Sequence, residues 1–352
     1  MRWPMPWAVS AQGRRYAAFW SNAPVNEPHR KGGRPMKHDF CIISESTCDL
    51  SEQIRTEFDI GYIPGHVLLP SGVQVAARLD WDAYESYSNG SAETFYANLM
   101  KDPDRFKTSP CNVQEIYEEL LRRVEAGQGV LMTCISSKMS GTYSFACEAR
   151  AKVLEVCPDA QIRIVDTRRY SVCNGLMCIY ASIMRGQGKT LDEIADYLEQ
   201  NRLCFHQMGW HDNLSFVAKK GRITHSTAFM GRLVGIKTLG ECSATGMTTV
   251  IGKVKGTPKA LRAVMEYIAQ TIVRPEEQTI IIGHSSRLPG AEELKKLIEE
   301  RFHPKAVYIC DIFPSCGVNI GPGLAAAYYF GKPVSDDLAE ERELLNNIVA
   351  QS

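Results

Sequence analysis

The chain has 352 residues, of which 44% are hydrophobic and 23% charged, and its formal net charge is zero. A chain of this length can bury enough apolar surface for two domains. The first 36 residues are basic, which leaves a mildly acidic remainder of 34 basic and 39 acidic residues. This balance argues against a nucleic-acid-binding surface. No run approaches the roughly 18 consecutive apolar residues that cross a bilayer.

Residues 1–36 form a segment of their own. They contain three tryptophans and several prolines, and they show neither helical nor strand periodicity. Pro4 and Pro6 interrupt the apolar stretch that a signal peptide needs. We therefore expect a disordered extension. Met36 opens the stretch MKHDFCIIS, which is typical of a cytosolic start, so an over-long translation start would explain the extension.

Twelve cysteines are spread along the chain. None of them forms a Cys-x-x-Cys pair, and no cysteine and histidine residues have the spacing of a zinc site. Several lie inside apolar runs, where cysteine behaves as a small hydrophobic residue. We predict free thiols in a reducing, cytoplasmic environment, with no metal and no cofactor.

Strands alternate with helices between residues 37 and 200. The predicted strands cover 40–43, 63–69, 129–135 and 161–165, and the predicted helices cover Val113–Glu125, 141–155, 171–185 and Leu191–Asn201. This alternation favours a parallel α/β sheet, whose ligand crevice lies at the carboxyl ends of the strands. Thr108 and Ser140 are predicted to follow two such ends. We assign residues 37–200 to an α/β domain with the Thr108 and Ser140 turns.

The stretch ISSKMSGTY, residues 135–143, follows the apolar run GVLMTC. A buried strand that leads through Ser-Ser-x-x-Ser-Gly-Thr presents hydroxyls and backbone N–H groups at the start of a helix. Such a helix start suits an anion or a carboxylate, because its first N–H groups lack partners and carry the positive end of the dipole. The same residues are also typical of a simple helix cap.

The pattern changes after residue 200. Residues 218–224 form a predicted basic turn, and the Gly- and Thr-rich stretch 234–255 is typical of a β-hairpin. Further predicted elements are helices at 258–272 and 290–301 and strands at 279–283 and Ala306–Asp311. The motif NIGPG is predicted to be a tight turn that opens a helix over 324–330. We assign residues 201–336 to a smaller α+β domain with the Arg222 and Asn319 turns, and 337–352 to a C-terminal tail.

Five motifs occur in one order along the chain: SESTCDL, TSPCN, SSKMSGTY, AKKGRI and NIGPG. Together they resemble the DegV family, the fatty-acid-binding proteins that serve as acyl-carrying subunits of bacterial fatty acid kinase. The resemblance runs from about residue 39 to 335. It implies a two-domain α/β fold with one long-chain fatty acid in an apolar tunnel between or within the domains. It also implies a carrier, not an enzyme, with a fatty acid kinase as partner.

The resemblance further implies which residues hold the fatty acid carboxylate. The Thr of the TSPCN turn and the last Ser of SSKMSGT match the family's carboxylate ligands, which gives Thr108 and Ser140 these roles. Ser109, Gly141 and Thr142 are their neighbours in the same motifs. Arg222 matches the Arg of the family's Gly-Gly-Arg-Ile turn, although Lys220 replaces the first Gly. Arg222 is either a salt-bridge partner within the fold or a residue that faces the kinase.

Two positions depart from the family pattern. Asn319 stands where the family usually has the His of His-x-Gly-Pro-Gly, and Cys111-Asn112 replaces a Pro-Ser-like ending. The amide of Asn319 can donate to a carboxylate, but it cannot become positively charged near neutral pH. The departures leave two further readings open, namely a different head group and a carrier that is uncoupled from a kinase. Thr108 also has a local alternative, as the N-cap of the helix Val113–Glu125.

The competing function classes are an enzyme and a carrier of another lipid or apolar metabolite. A hydrolase would use Ser140 as nucleophile, but the sequence has no Gly-x-Ser-x-Gly elbow and no histidine tied to Ser140 by spacing. A small-molecule kinase would need a phosphate-binding Gly-x-x-x-x-Gly-Lys-Ser/Thr loop, which the sequence lacks. His211 and His284 are interpreted as structural. A carrier of another lipid remains consistent with Asn319.

Overall fold

The computed structural model describes residues 39–212, 214–224 and 235–351. The predicted extension, residues 1–36, lies outside the described residues. The described chain forms a mixed α/β fold with three sheets. The predicted α/β fold class is therefore confirmed.

The first sheet has four parallel strands in the order β2–β1–β6–β7. These strands are β1 (Phe40–Glu45), β2 (Ile60–Ile63), β6 (Gly129–Cys134) and β7 (Ile162–Asp166). Alternate side chains of β1 and β6 pack in two different cores: Ile42 lies in one, and Ile43 in the other. Both faces are thus covered, as parallel sheets require.

Helices cover the two faces of this sheet. The short helix α1 (Glu52–Glu57) connects β1 to β2. One face carries α4 (Val113–Glu125) and α5 (Thr142–Val156), and the other carries α6 (Val172–Gly186) and α7 (Leu191–Asn201). These helices match the predicted ones to within one residue at each end. Helix α6 also contacts the second sheet, and most of its residues are buried. One core therefore joins residues from both sides of position 200, so the boundary between two domains stays a prediction.

The predicted strand at 63–69 is wrong in its extent. Pro64 and Gly65 divide it, so β2 ends at Ile63 and β3 (His66–Leu68) begins after them. Proline lacks the N–H group that a continuous strand would use in the sheet. Strand β3 pairs antiparallel with β4 (Gln74–Ala76) and β5 (Lys107–Ser109) in a separate three-stranded sheet. The helices α2 (Glu85–Ser88) and α3 (Ala92–Lys101) lie between β4 and β5 in the chain.

Thr108 therefore does not follow the carboxyl end of a parallel strand, as the sequence predicted. It lies within β5, opposite Val67 of β3. A three-residue strand made of Lys, Thr and Ser lacks the apolar alternation by which strands are recognised in a sequence. Its pairing with β3 is a tertiary contact, which the local pattern does not contain.

The second sheet has six strands in the order β10–β9–β8–β13–β11–β12. Only β11 and β12 pair in parallel, and the other neighbours are antiparallel. The strands are β8 (Phe205–His211), β9 (Ile236–Cys242), β10 (Thr248–Lys255), β11 (Thr279–His284), β12 (Ala306–Asp311) and β13 (Leu324–Phe330). The predicted hairpin corresponds to β9 and β10.

Helices pack on one face of this sheet, and together they form the second large hydrophobic core of the protein. They are α9 (Thr257–Thr271), α10 (Leu288–Phe302) and α12 (Ala339–Ala350). The predicted C-terminal tail thus contains a helix, and Leu345 and Ile348 of α12 are buried in this core. Two shorter helices, α8 (Ser215–Lys219) and α11 (Pro314–Ile320), lie toward the first sheet's loops.

The interpretation of NIGPG as a turn that opens a helix is wrong. Helix α11 precedes the turn and contains Asn319, and the apolar run after the turn is the strand β13. Gly321 and Gly323 have φ values of +74° and +105°, a region of backbone conformation that suits glycine. The run LAAAYYF is buried on both faces between β8 and β11, and periodicity does not separate such a strand from a buried helix.

Candidate functional site

A cavity of about 450 Å³ lies where the β6–α5 loop, β5 and α11 meet. Its wall includes every residue that the sequence predicted for the site, although Thr108 and Asn319 are 211 positions apart in the chain. These residues are Thr108, Ser109, Ser140, Gly141, Thr142, Arg222 and Asn319. The structure therefore brings the five motifs' polar residues to one place, with Ser46 and Thr47 of the first motif among them.

The β6–α5 loop is held by contacts within itself and with β7. The N–H group and the hydroxyl of Ser137 donate to the Asp166 carboxylate, at 3.1 and 2.7 Å. The Ser140 hydroxyl lies 2.8 Å from the Thr142 hydroxyl and accepts from the Thr142 N–H at 3.3 Å. Gly141 precedes α5 without a side-chain cap. Ser140 is half-buried, so its hydroxyl borders the cavity beside the first turn of a 15-residue helix.

The side chains of Thr108 and Asn319 are joined by a hydrogen bond. The Asn319 side-chain Nδ2 donates to the Thr108 Oγ1 at 3.0 Å and to the Ser315 carbonyl oxygen at 3.3 Å. The interpretation of Thr108 as the N-cap of α4 is wrong, because Asn112 holds that position. The Asn112 side chain accepts from the Glu115 N–H, and the Glu115 carboxylate accepts from the Asn112 N–H.

Arg222 borders the cavity on its exposed side. Its guanidinium donates to the carbonyl oxygen of Lys220. Within the described part of the chain, no carboxylate forms an ion pair with Arg222, so the salt-bridge interpretation lacks its partner. A charged side chain at the rim of the cavity fits the alternative, an outward-facing contact residue.

Glu45 is a cavity residue that the sequence reasoning missed. It ends β1 and is only 3% exposed. Its carboxylate accepts from the Thr47 N–H and the Ile135 N–H, both at 2.9 Å, and from the Thr47 hydroxyl at 2.5 Å. Burial raises the pKa of Glu45 above its usual value, and these hydrogen bonds offset only part of that effect. An acidic residue two positions after the apolar run 40–43 was the available signal.

A second, smaller cavity of about 60 Å³ adjoins the first. Tyr170, Val217, Thr248 and Ile320 line both. The small cavity lies against the second sheet and is lined there by Gly209, Gly240 and Ala326. Most of its accessible wall is apolar. His211 also lines it, and burial lowers the pKa of this imidazole to about 4, so the ring is neutral near pH 7.

A family model described as "Uncharacterised protein, DegV family" matches residues 39–332. A DegV domain-containing protein of Clostridium perfringens is 31% identical over 292 residues, which are 83% of this chain and 97% of the relative. The chain belongs to the DegV family.

Solved structures of DegV proteins share its fold. A DegV lipid-binding protein from Thermotoga maritima matches with a TM-score of 0.71 and 23% identity, over 82% of this chain and 97% of that one. A DegV family protein from Eubacterium eligens, loaded with heptadecanoic acid, matches with a TM-score of 0.70 and 19% identity, over 83% of this chain and 100% of that one. The Fatty Acid Kinase (Fak) B3 protein of Streptococcus pneumoniae, loaded with linoleic acid, matches with a TM-score of 0.68 and 16% identity, over 83% of this chain and 99% of that one.

Residues 39–212, 214–224 and 235–351 of this DegV protein contain neither a candidate metal cluster nor a candidate membrane span. In those ranges, His, Cys, Asp and Glu side chains form no group of three or more that could hold a metal ion. The helices in the same ranges are too short or too polar to cross a bilayer. All twelve cysteines are free thiols. Two of them, Cys111 and Cys316, line the larger cavity, and burial raises the pKa of both above the usual range, which makes them weak nucleophiles.

Proposed function

We propose that this chain binds one long-chain fatty acid, with the carboxylate at the polar wall of the larger cavity and the acyl chain running along that cavity, so that its far end reaches the smaller, apolar one. One observation carries the proposal: the cavity that holds Thr108 and Ser140 shares part of its wall with an apolar cavity on the second sheet. A cavity with both polar and apolar walls that adjoins a mostly apolar one suits a fatty acid, which has a charged head group and an apolar chain. The fatty acids in the related DegV structures support the same assignment.

The acyl chain would supply most of the affinity. Burying about sixteen carbons at roughly 0.8 kcal/mol per CH₂ gives on the order of 10 kcal/mol before the costs of association. The polar groups then have to orient the carboxylate and satisfy its hydrogen bonds, because an unpaired buried charge is costly. The Ser140 hydroxyl, the Thr108 hydroxyl and the Asn319 amide are among the donors at the cavity wall.

The protein would act as a carrier that presents the fatty acid to a fatty acid kinase. The exposed Arg222 at the cavity rim supports a partner contact beside the carboxylate. At such a partner the carboxylate would accept the phosphoryl group of ATP, which yields an acyl phosphate and ADP. Consumption of the bound acid when ATP and a bacterial fatty acid kinase catalytic subunit are added tests this step.

Native mass spectrometry of the purified protein tests the ligand class. A co-purified fatty acid supports the proposal. A different lipid supports the second candidate, for which the neutral Asn319 at the head-group end is the specific observation. A protein that neither retains a fatty acid nor binds added octadecanoic acid contradicts the fatty acid proposal.

Substitution of the two hydroxyl donors tests the head-group contacts. We expect Ser140→Ala and Thr108→Ala each to weaken fatty acid binding by about 1–3 kcal/mol, because a charged group loses a donor. Ser144→Ala is the matched control, since this serine lies on the exposed side of the same helix α5. Affinities from calorimetric titration that equal the wild-type value in both variants would overturn the assignment of the carboxylate.

A further inference from the structure

The side-chain amide of Gln207 is buried in the wall of the smaller cavity. Gln207 lies in β8, is 7% exposed, and faces the cavity together with Gly209 and His211, its neighbours on the same face of the strand. Its Nε2 donates to the Tyr170 hydroxyl. Its Oε1 has no hydrogen-bond partner among residues 39–212, 214–224 and 235–351.

A buried amide oxygen without a partner costs free energy, because it has lost its water and gained nothing in exchange. A saturated acyl chain cannot offset that cost, since it has neither a donor nor an acceptor. The exact orientation of the amide does not matter here. If the amide were turned around, the nitrogen would be the end without a partner.

Two further polar side chains lie between Gln207 and the larger cavity. The Thr248 hydroxyl donates to the Tyr170 hydroxyl at 2.7 Å, and both residues line the two cavities. A chain that passes from the head-group end into the smaller cavity therefore passes this pair and then meets Gln207. Gly209, Gly240 and Ala326 line the same cavity and add no polar side chain to its wall.

We propose that Gln207, with Tyr170 and Thr248, forms a polar subsite for an acyl chain that carries a hydroxyl group along its length. A hydroxyl can donate to an amide oxygen or accept from an amide nitrogen, so it complements either orientation of Gln207. The subsite rests on the proposed function, because it assumes that the acyl chain enters the smaller cavity. It makes the protein select hydroxylated fatty acids over unsubstituted ones of equal length.

Binding of octadecanoic acid is compared with binding of octadecanoic acids that carry one hydroxyl at successive positions, by calorimetric titration of the full chain. We expect at least one isomer to bind about tenfold more tightly than octadecanoic acid, which corresponds to one satisfied hydrogen bond. In Gln207→Leu this preference is expected to fall below about twofold. Thr238→Val is the control, since that hydroxyl lines the same cavity but already donates to the His211 carbonyl oxygen at 3.0 Å.

The wild-type protein alone can overturn the subsite. If no isomer binds more tightly than octadecanoic acid, an ordered water satisfies Gln207 and the subsite does not exist. An unchanged preference in Gln207→Leu would likewise exclude Gln207 as its source. If octadecanoic acid and every isomer fail to bind at all, the proposed function fails instead.

Discussion

Glu45 at the end of β1 and Glu241 in β9 are both buried carboxylates, but their pKa values shift in opposite directions. Each accepts hydrogen bonds from two backbone N–H groups, so local hydrogen bonding does not separate them. The pKa of Glu45 is raised, and the pKa of Glu241 is lowered. The difference lies in what else faces each carboxylate.

Glu241 has a cationic partner. Burial by itself would raise its pKa, but the attraction of His206 and the hydrogen bond from it, together with the Cys242 N–H and the charge of Arg169, outweigh that effect. The His206 Nδ1 lies 2.8 Å from the Glu241 carboxylate, and its Nε2 lies 2.7 Å from the Lys332 carbonyl oxygen. Both ring nitrogens thus lie within hydrogen-bond distance of an acceptor. The ring also stacks on Tyr329.

Glu45 has no such partner within the described part of the chain; only hydroxyl and N–H groups donate to it. The carboxylate lies in the wall of the larger cavity, where the proposed fatty acid would bring a second negative charge. Glu241 is thus compensated by a basic side chain within the fold. The groups that hold Glu45 are neutral, so the charge of the larger cavity has to be balanced by other groups.

Removal of the compensating cation is expected to have the largest effect. His206→Leu leaves Glu241 buried and unpaired, which should lower the free energy of unfolding by about 3–5 kcal/mol. Urea denaturation measures the loss. The matched control is the double variant His206→Leu/Glu241→Gln, which should recover part of the stability because no charge remains to be buried. A single variant as stable as the wild type would contradict the ion pair.

The two carboxylates should give stability opposite pH dependences. The folded pKa of Glu45 lies above its usual 4.5, so the folded state binds more protons and stability falls as pH rises above 4.5. The folded pKa of Glu241 lies below 4.5, so its contribution is lost as pH falls below 4.5. Each slope is at most about 1.4 kcal/mol per pH unit.

Glu45→Gln and Glu241→Gln separate these contributions. Urea denaturation at pH 3–8 should show the stability of the wild type relative to Glu45→Gln decreasing from about pH 4.5 upward. Relative to Glu241→Gln, the wild type should lose stability from the same pH downward. Parallel pH profiles for the wild type and Glu45→Gln would show that burial does not raise the pKa of Glu45.

Placing a cation in the cavity of Glu45 should have the smallest effect. Asn319→His introduces an imidazole whose usual pKa is about 6.5, beside the proposed carboxylate position. Octadecanoic acid should then bind about 3–10-fold more tightly at pH 5 than at pH 8, beyond any wild-type change. Asn319→Gln controls for the longer side chain without a charge. A pH profile identical to that of the wild type would argue against a carboxylate near position 319.

Local patterns account for the elements that were predicted well. The helix Leu191–Asn201 has a capping box between Thr190 and Glu193 and an apolar stripe, both of which lie within a few residues of each other. The run over 324–330 has neither a cap nor a periodicity that marks one face. Its conformation follows from its two neighbours, β8 and β11, which are far away in the sequence.

The same distinction applies to the site. Thr108, Ser140 and Asn319 were predicted because each lies in a short motif that matches the DegV family pattern position by position. Gln207 was missed, because a glutamine in an apolar strand resembles any other polar residue until its face of the sheet is known. Glu45 was missed because its role depends on the absence of a nearby cation among the described side chains, which no motif expresses.

Composition, periodicity and short motifs were enough to predict the family, the α/β class and seven residues of the larger cavity's wall, from Thr108 to Asn319. Only the tertiary structure shows that Asn319 donates to Thr108 across 211 positions, that the larger cavity adjoins an apolar one, and that Glu45 and Glu241 differ in charge balance. Those properties depend on contacts between distant segments, and the local sequence does not encode which distant groups meet.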